Sequence, residues 1–197
     1  MPHFSAFAKE TPDRPAYILA NSGEVVTYRE LDLRSNQIAQ LLRACGVQRG
    51  DHVAMMMKNC AEFLQVAQGA LRAGVIFTPI STHLKQDETA YIITNCKAKV
   101  FFASASLAPV ATAAADAAAG LGRCFSVGGE IAGFESLEVQ LEQLSDAPIQ
   151  TSFSARPCCT HPVPPASPRA FTGSRTRIAS MLIIPCPAAL ALFSGLE

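Results

Sequence analysis

The sequence predicts an α/β domain built as a partial doubly wound sheet with flanking helices, and three observations carry that reading. Short β-rich runs alternate with helix-patterned segments from about residue 4 to residue 150. Two of the helix patterns open on residues able to cap an N-terminus, and they close on Gly46 and Gly74. The 197 residues are 49% hydrophobic and 16% charged, which supplies a packed core and too little charge for a disordered chain.

The elements follow in order. Thr27 and Glu30 form a capping-box signature, after which Tyr28, Leu31, Ser35, Ile38, Leu42 and Cys45 recur at steps of three and four, one amphipathic face ended by Gly46. His52–Met57 is an apolar run of strand length. Asn59 and Glu62 repeat the cap signature for a helix through Phe63, Ala67, Ala70 and Leu71 that Gly74 closes. Val75–Ile80 reads as the next strand. Asp87 and Glu88 then open a helix through Tyr91 and Ile92, their charges suited to its positive end. Ala98–Ala103 is a further strand, Leu107–Ala119 an alanine-rich helix, Cys124–Val127 a strand and Leu137–Leu144 a short final helix. Parallel strands joined by helices of this length bind ligands beyond their carboxyl ends.

Composition excludes several classes of function. The formal net charge is zero, so no basic surface argues for nucleic acid or an anionic membrane. The first fifteen residues lack a basic start followed by an apolar run, so a cytoplasmic chain is expected. Ile178–Phe193, at 16 residues with two prolines, falls short of a transmembrane helix. Cys45, Cys60, Cys96 and Cys124 are scattered singly, as small apolar residues of a cytosolic core are.

Local motifs read more simply as structure than as sites. Arg49-Gly50-Asp51 spells an adhesion tripeptide but lies between a helix and a strand, where a glycine turn is needed. Gly128-Gly129 lacks the spacing of a dinucleotide fingerprint. His83 sits alone in a loop after a strand, and the four histidines show no metal-ligand spacing.

Two longer stretches carry a resemblance: TYRELDLRSNQIAQLLRACGVQRGDHVAMMMKN, from Thr27, and GALRAGVIFTPISTHLKQDETAYIITNCKAKVFFAS, ending at Ser104. They resemble the N-terminal part of the adenylate-forming acyl-CoA synthetases, the AMP-binding ligase superfamily, over about residues 4–150. The resemblance implies the N-terminal domain fold of those enzymes. It also implies, for an intact relative, ATP, Mg²⁺ and CoA, with a small-molecule carboxylic acid attacking the α-phosphate and CoA displacing AMP. The PISTHLKQDETAYII version is most similar to fatty and other acyl-CoA ligases, and less so to peptide-synthetase modules or luciferase-like enzymes.

The family's phosphate loop, Tyr-Ser-Ser-Gly-Thr-Thr-Gly-X-Pro-Lys-Gly, is due shortly after residue 150. Its glycines let backbone N–H groups approach phosphate and its lysine offsets developing charge. The printed residues there read CCTHPVPPASPRAFTG, Cys158 to Gly173. Composition changes at the same place: residues 151–197 hold four Arg, no Lys, one Glu and seven of the 13 prolines.

The genetic code tests a frame shift directly, by joining the last base of each codon to the first two of the next. Cys158–Cys159 then allows only Leu, and Cys159–Thr160 only Tyr or His. Thr160 to Val163 admit Ser, Ser, Gly; Val163 to Ala166 admit Thr, Thr, Gly; Ala166 to Ala170 admit an apolar residue, Pro, Lys, Gly. With Met allowed at Pro157–Cys158, the string Met-Leu-Tyr-Ser-Ser-Gly-Thr-Thr-Gly-X-Pro-Lys-Gly emerges where the resemblance requires it. A shift near Gln150 is therefore expected, with residues 151–197 a non-homologous, irregular or disordered tail.

On this reading the chain is an N-terminal synthetase part, residues 4–150, without its chemistry. No catalytic, cofactor-binding or metal residues are assigned, and no cofactor is expected to bind the fragment. A non-catalytic α/β module that binds a nucleotide or partner protein is the alternative, and a Cys/His metal or redox element in the tail is a third.

Overall fold

The computed structural model describes residues 4–148. The tail from residue 151, with Cys158, Cys159, His161 and the apolar run 178–193, lies outside the described residues. The chain opens with helix α1 (Phe4–Glu10) and an antiparallel hairpin of β1 (Pro15–Ile18) and β2 (Val25–Thr27), then α2 (Tyr28–Ala44). There follow β3 (His52–Met56), α3 (Ala61–Arg72), β4 (Ile76–Pro79), α4 (Gln86–Asn95) and β5 (Ala98–Ser104). A 3₁₀ turn at Ala105–Leu107 leads into α5 (Ala108–Ala117), then β6 (Arg123–Val127), β7 (Glu135–Ser136) and α6 (Leu137–Glu142).

Thr27 caps α2 as expected: its hydroxyl accepts from the Glu30 N–H at 3.2 Å, and the Glu30 carboxylate accepts from the Thr27 N–H at 2.8 Å. The two glycines end their helices by one geometry. Gly46 has φ +74 and Gly74 φ +69, the left-handed backbone a residue with a Cβ resists. After each, a valine N–H returns to the helix: Val47 to Leu42 at 3.0 Å, Val75 to Ala70 at 2.9 Å. Both valines are buried, so each cap also turns the chain inward towards the strand that follows.

Strands β4, β3, β5, β6 and β7 lie side by side in that order, all parallel. Alternate side chains feed two cores, as the pleat requires. Val53, Met55, Val100, Phe102 and Phe125 pack with α2, α3 and α6. On the other side Ala54, Met56, Phe101 and Ala103 meet α4 and α5. Phe101, Phe102 and Phe125 are fully buried, and burial of each is worth about 1.5–3 kcal/mol. The sheet is thus covered on both faces, the doubly wound arrangement expected.

Some boundaries differ from the sequence reading. Helix α3 is capped by Cys60, not Asn59, and with no side-chain cap. Ala61, at its first position, is buried and its carbonyl accepts the Tyr17 hydroxyl at 2.7 Å, a tertiary contact that outweighs the better capping amide one residue earlier. Helix α5 begins after the 3₁₀ turn, and α6 stops at Glu142. Among the described residues no helix is long and apolar enough to cross a membrane.

Candidate functional site

Neighbours β4 and β5 flank β3, because the chain leaves β3 through α3 on one face and comes back to its other side through α4 on the opposite face. The crevice beyond the carboxyl ends of β3 and β5 is therefore the place where a doubly wound sheet holds a ligand. A cavity of about 180 Å³ lies there, bordered by Lys58, Cys60, Glu62, Ser104, Ser106 and Gly128.

Its residues are placed by the strand ends. The Lys58 N–H donates to Ser104 Oγ at 3.0 Å, tying the end of β3 to that of β5. Ser104 is buried, while Lys58 and Ser106 are exposed. The Gly128 N–H, after β6, donates to Glu138 Oε1 at 2.8 Å, so that amide is already engaged. Burial, with the Glu62 carboxylate beside it, pushes the Cys60 thiol up to about 12, which keeps it a neutral thiol and no nucleophile at neutral pH.

These groups do not fit a magnesium nucleotide. The cavity is below the 300 Å³ or so of a small-molecule site, and its described lining holds one lysine and one glutamate. A larger groove of about 490 Å³ runs along the hairpin, α2 and α6, but Glu24, Glu30, Glu142 and Asp146 line it against a single Arg34, which repels phosphate. Among the described residues no group of three or more His, Cys, Asp or Glu is placed to hold a metal.

The motifs set aside as structural fall into structure. Asp51 is paired with Lys99 at 2.7 Å and accepts the Gln48 N–H at 2.6 Å, while the Gly50 N–H donates to the Gly74 carbonyl at 2.9 Å. His83 is exposed in the loop after β4. Cys45, Cys60, Cys96 and Cys124 are half-buried free thiols.

Sequence reasoning missed one buried polar cluster. Arg72 on α3 is almost wholly buried, paired with Asp32 and donating to Asn36 Oδ1 at 2.7 Å and Ser5 Oγ at 2.8 Å. The Phe4 ring lies 4.5 Å from its guanidinium carbon. The signal was available: Asp32 and Asn36 are four apart on the face of α2 next to its apolar stripe. The cluster joins α1, α2 and α3 and opens into no cavity described above.

Comparison with known proteins gives the context. The family model for AMP-binding enzyme matches residues 4–169. A crotonobetaine/carnitine–CoA ligase of Proteus mirabilis is 36% identical over 84 residues, 43% of this chain and 16% of that protein. The long-chain-fatty-acid–CoA ligase FadD13 of Mycobacterium tuberculosis is 33% identical over 103 residues, 52% of this chain and 20% of that one. The chain thus spans no more than about a fifth of the curated relatives it matches.

Among solved structures, the anthranilate CoA ligase AuaEII, in complex with anthranoyl-AMP, superposes with a TM-score of 0.68 at 20% identity, over 77% of this chain and 28% of that one, a likeness of fold alone. A Mycobacterium tuberculosis fatty acyl CoA synthetase gives 0.66 at 26% identity, over 76% and 29%. The parallel sheet with helices on both faces is that of the N-terminal domain of adenylate-forming enzymes, and the chain belongs to the AMP-binding enzyme family.

Proposed function

We propose that residues 4–150 are the N-terminal scaffold of an ATP-dependent acyl-CoA ligase, and that the 197-residue chain does not itself form an acyl-adenylate. The observation that carries this reading is that the junctions from Pro157 to Ala170 all admit, one base out of step, the residues of the family's phosphate loop in order. In the in-frame enzyme a carboxylate oxygen attacks the α-phosphorus of ATP, pyrophosphate leaves with Mg²⁺, and the CoA thiol then takes the acyl group as AMP departs. A fatty acid is the favoured acid, in keeping with the fatty-acid ligases among the relatives. The four unpaired thiols among the described residues support a reducing, cytoplasmic setting.

Among the described residues, the cavity of about 180 Å³ at the strand ends is in keeping with that reading. Carboxylate-dependent exchange of pyrophosphate into ATP, measured side by side on the 197-residue protein and on the product of the gene with one base restored near codon 150, tests the reading. Exchange by the restored product alone is expected. Turnover by the 197-residue chain overturns the claim of inactivity, and a restored frame that does not continue as ligase sequence overturns the frame shift.

A further inference from the structure

We propose that the acidic groove along the hairpin, α2 and α6 is a docking site for a basic segment of a partner protein, one that carries arginine or lysine on either side of an aliphatic side chain. All of its lining lies between Glu24 and Asp146, within the described residues.

Charge points to that occupant. The groove, of about 490 Å³, has four carboxylates on its lining. Glu30 is spent on the Thr27 cap. Glu24, Glu142 and Asp146 are exposed, and among the described residues none of the three is in an ion pair. Arg34, the single cation on the lining, donates to Gln37 Oε1 at 3.2 Å. The whole chain has no net charge, so the acid excess belongs to this groove and not to the surface at large.

Two further observations say what the cation must be attached to. The large apolar side chains exposed among the described residues are Val25, Leu33, Tyr91 and Val139, and two of them, Val25 at 47% and Leu33 at 37%, stand on this one lining. At the same lining Gln65 is only 8% exposed. Its hydrogen bond lowers the Tyr17 pKa, so the amide donates that bond and its oxygen is the end left for the groove. Carboxylates and an amide oxygen are all acceptors, so the occupant must donate. The apolar pair asks it to bring aliphatic carbon as well, which the stems of arginine and lysine and a neighbouring leucine or valine supply. A phosphate or nucleic acid is repelled by the same charges.

Fluorescence anisotropy with a dye-labelled peptide, acetyl-Arg-Leu-Lys-Leu-Arg-amide, tests the site on the 197-residue protein. At about 50 mM salt, where surface charge is little screened, a Kd of about 100 µM or tighter is expected. No binding overturns the docking site, and that includes the case in which the chain's own arginines beyond residue 150 already hold the groove. Glu24→Gln, Glu142→Gln and Asp146→Asn together should weaken binding at least about fivefold. Glu10→Gln, Asp116→Asn and Glu130→Gln, which remove the same charge from exposed positions elsewhere, should weaken it less than about twofold. Equal weakening by the two sets overturns a localised site. Serine in place of both peptide leucines, a change that leaves the protein untouched, should weaken binding at least about threefold. An unchanged Kd for that peptide, or spermine binding as tightly as the original, overturns the peptide as occupant and leaves only a counter-ion site.

Discussion

Asp32 on α2 and Arg72 on α3 form an ion pair across the interface of their helices, with Arg72 only 4% exposed and Asp32 22%. Desolvation lowers the Arg72 pKa from its ordinary value, and the Asp32 carboxylate opposes that shift. Removal of the carboxylate leaves a buried cation with neutral partners only. Asp32→Ala is expected to cost about 3 kcal/mol, the low end for a buried pair because Asp32 keeps some water. Asp32→Ala with Arg72→Met should recover much of the loss. Urea unfolding midpoints of the two variants check both statements.

Gly69 on α3 faces Ile38 on α2, and a Cβ there would stand 2.5 Å from Ile38 Cγ2 and 2.6 Å from its Cβ. Ile38 is fully buried and β-branched, so it has little room to turn away. Gly69→Ala gains about 1 kcal/mol of helix propensity against about 1–3 kcal/mol of overpacking. A net loss is expected, and Ile38→Ala in the same chain should relieve the clash. Thermal midpoints of the single and double variants decide it.

Alkaline pH should loosen the fold. Burial raises the Tyr17 phenol above its ordinary 10.0, against the lowering hydrogen bond of Gln65, and burial pushes Cys60 up to about 12 and Cys124 up to about 11. Groups with raised values contribute stability that is whole below the unfolded values, near 9 to 10, and is lost as pH rises through the folded ones. The urea midpoint should fall between pH 9 and 11. Tyr17→Phe should flatten that fall while costing about 1 kcal/mol at pH 7, through loss of the bond to the Ala61 carbonyl.

Acid acts through Asp51. Desolvation would raise its pKa, but the Lys99 ammonium and the Gln48 N–H outweigh it and hold the carboxyl below its ordinary 3.8. A lowered value gives stability that is present above about pH 4 and lost as pH falls through the folded pKa. Asp51→Asn should therefore be less stable than the wild type at pH 6 and approach it at pH 3. Unfolding midpoints across that range measure the convergence.

Local chemistry made much of the fold legible. The Thr27–Glu30 box, the glycines after α2 and α3, and the alternation along β3 and β5 are all short-range patterns, and all are present. The missing elements depend on distant partners. Helix α1 has no fully buried residue and is held by Phe7 against Tyr28, ring centroids 5.4 Å apart, and by Phe4 on Arg72. Strand β7 is two residues long, with Glu135 paired to Arg123 of the neighbouring strand. The crevice at Lys58 and Ser104 follows from the order of strands, which no local pattern encodes. The phosphate-loop motif expected after residue 150 is not spelled by residues 157–170, so no local pattern there could reveal the family's chemistry.

The order β4-β3-β5-β6-β7 has a consequence during synthesis. Every strand of the sheet, and each helix that crosses between paired strands, comes from the single stretch of residues 52–136. Each new strand meets a neighbour already made, so the sheet can assemble as the chain leaves the ribosome, N-terminal part first. All five strands are therefore made by Ser136, and whatever follows is joined to a chain that already holds every strand of the sheet.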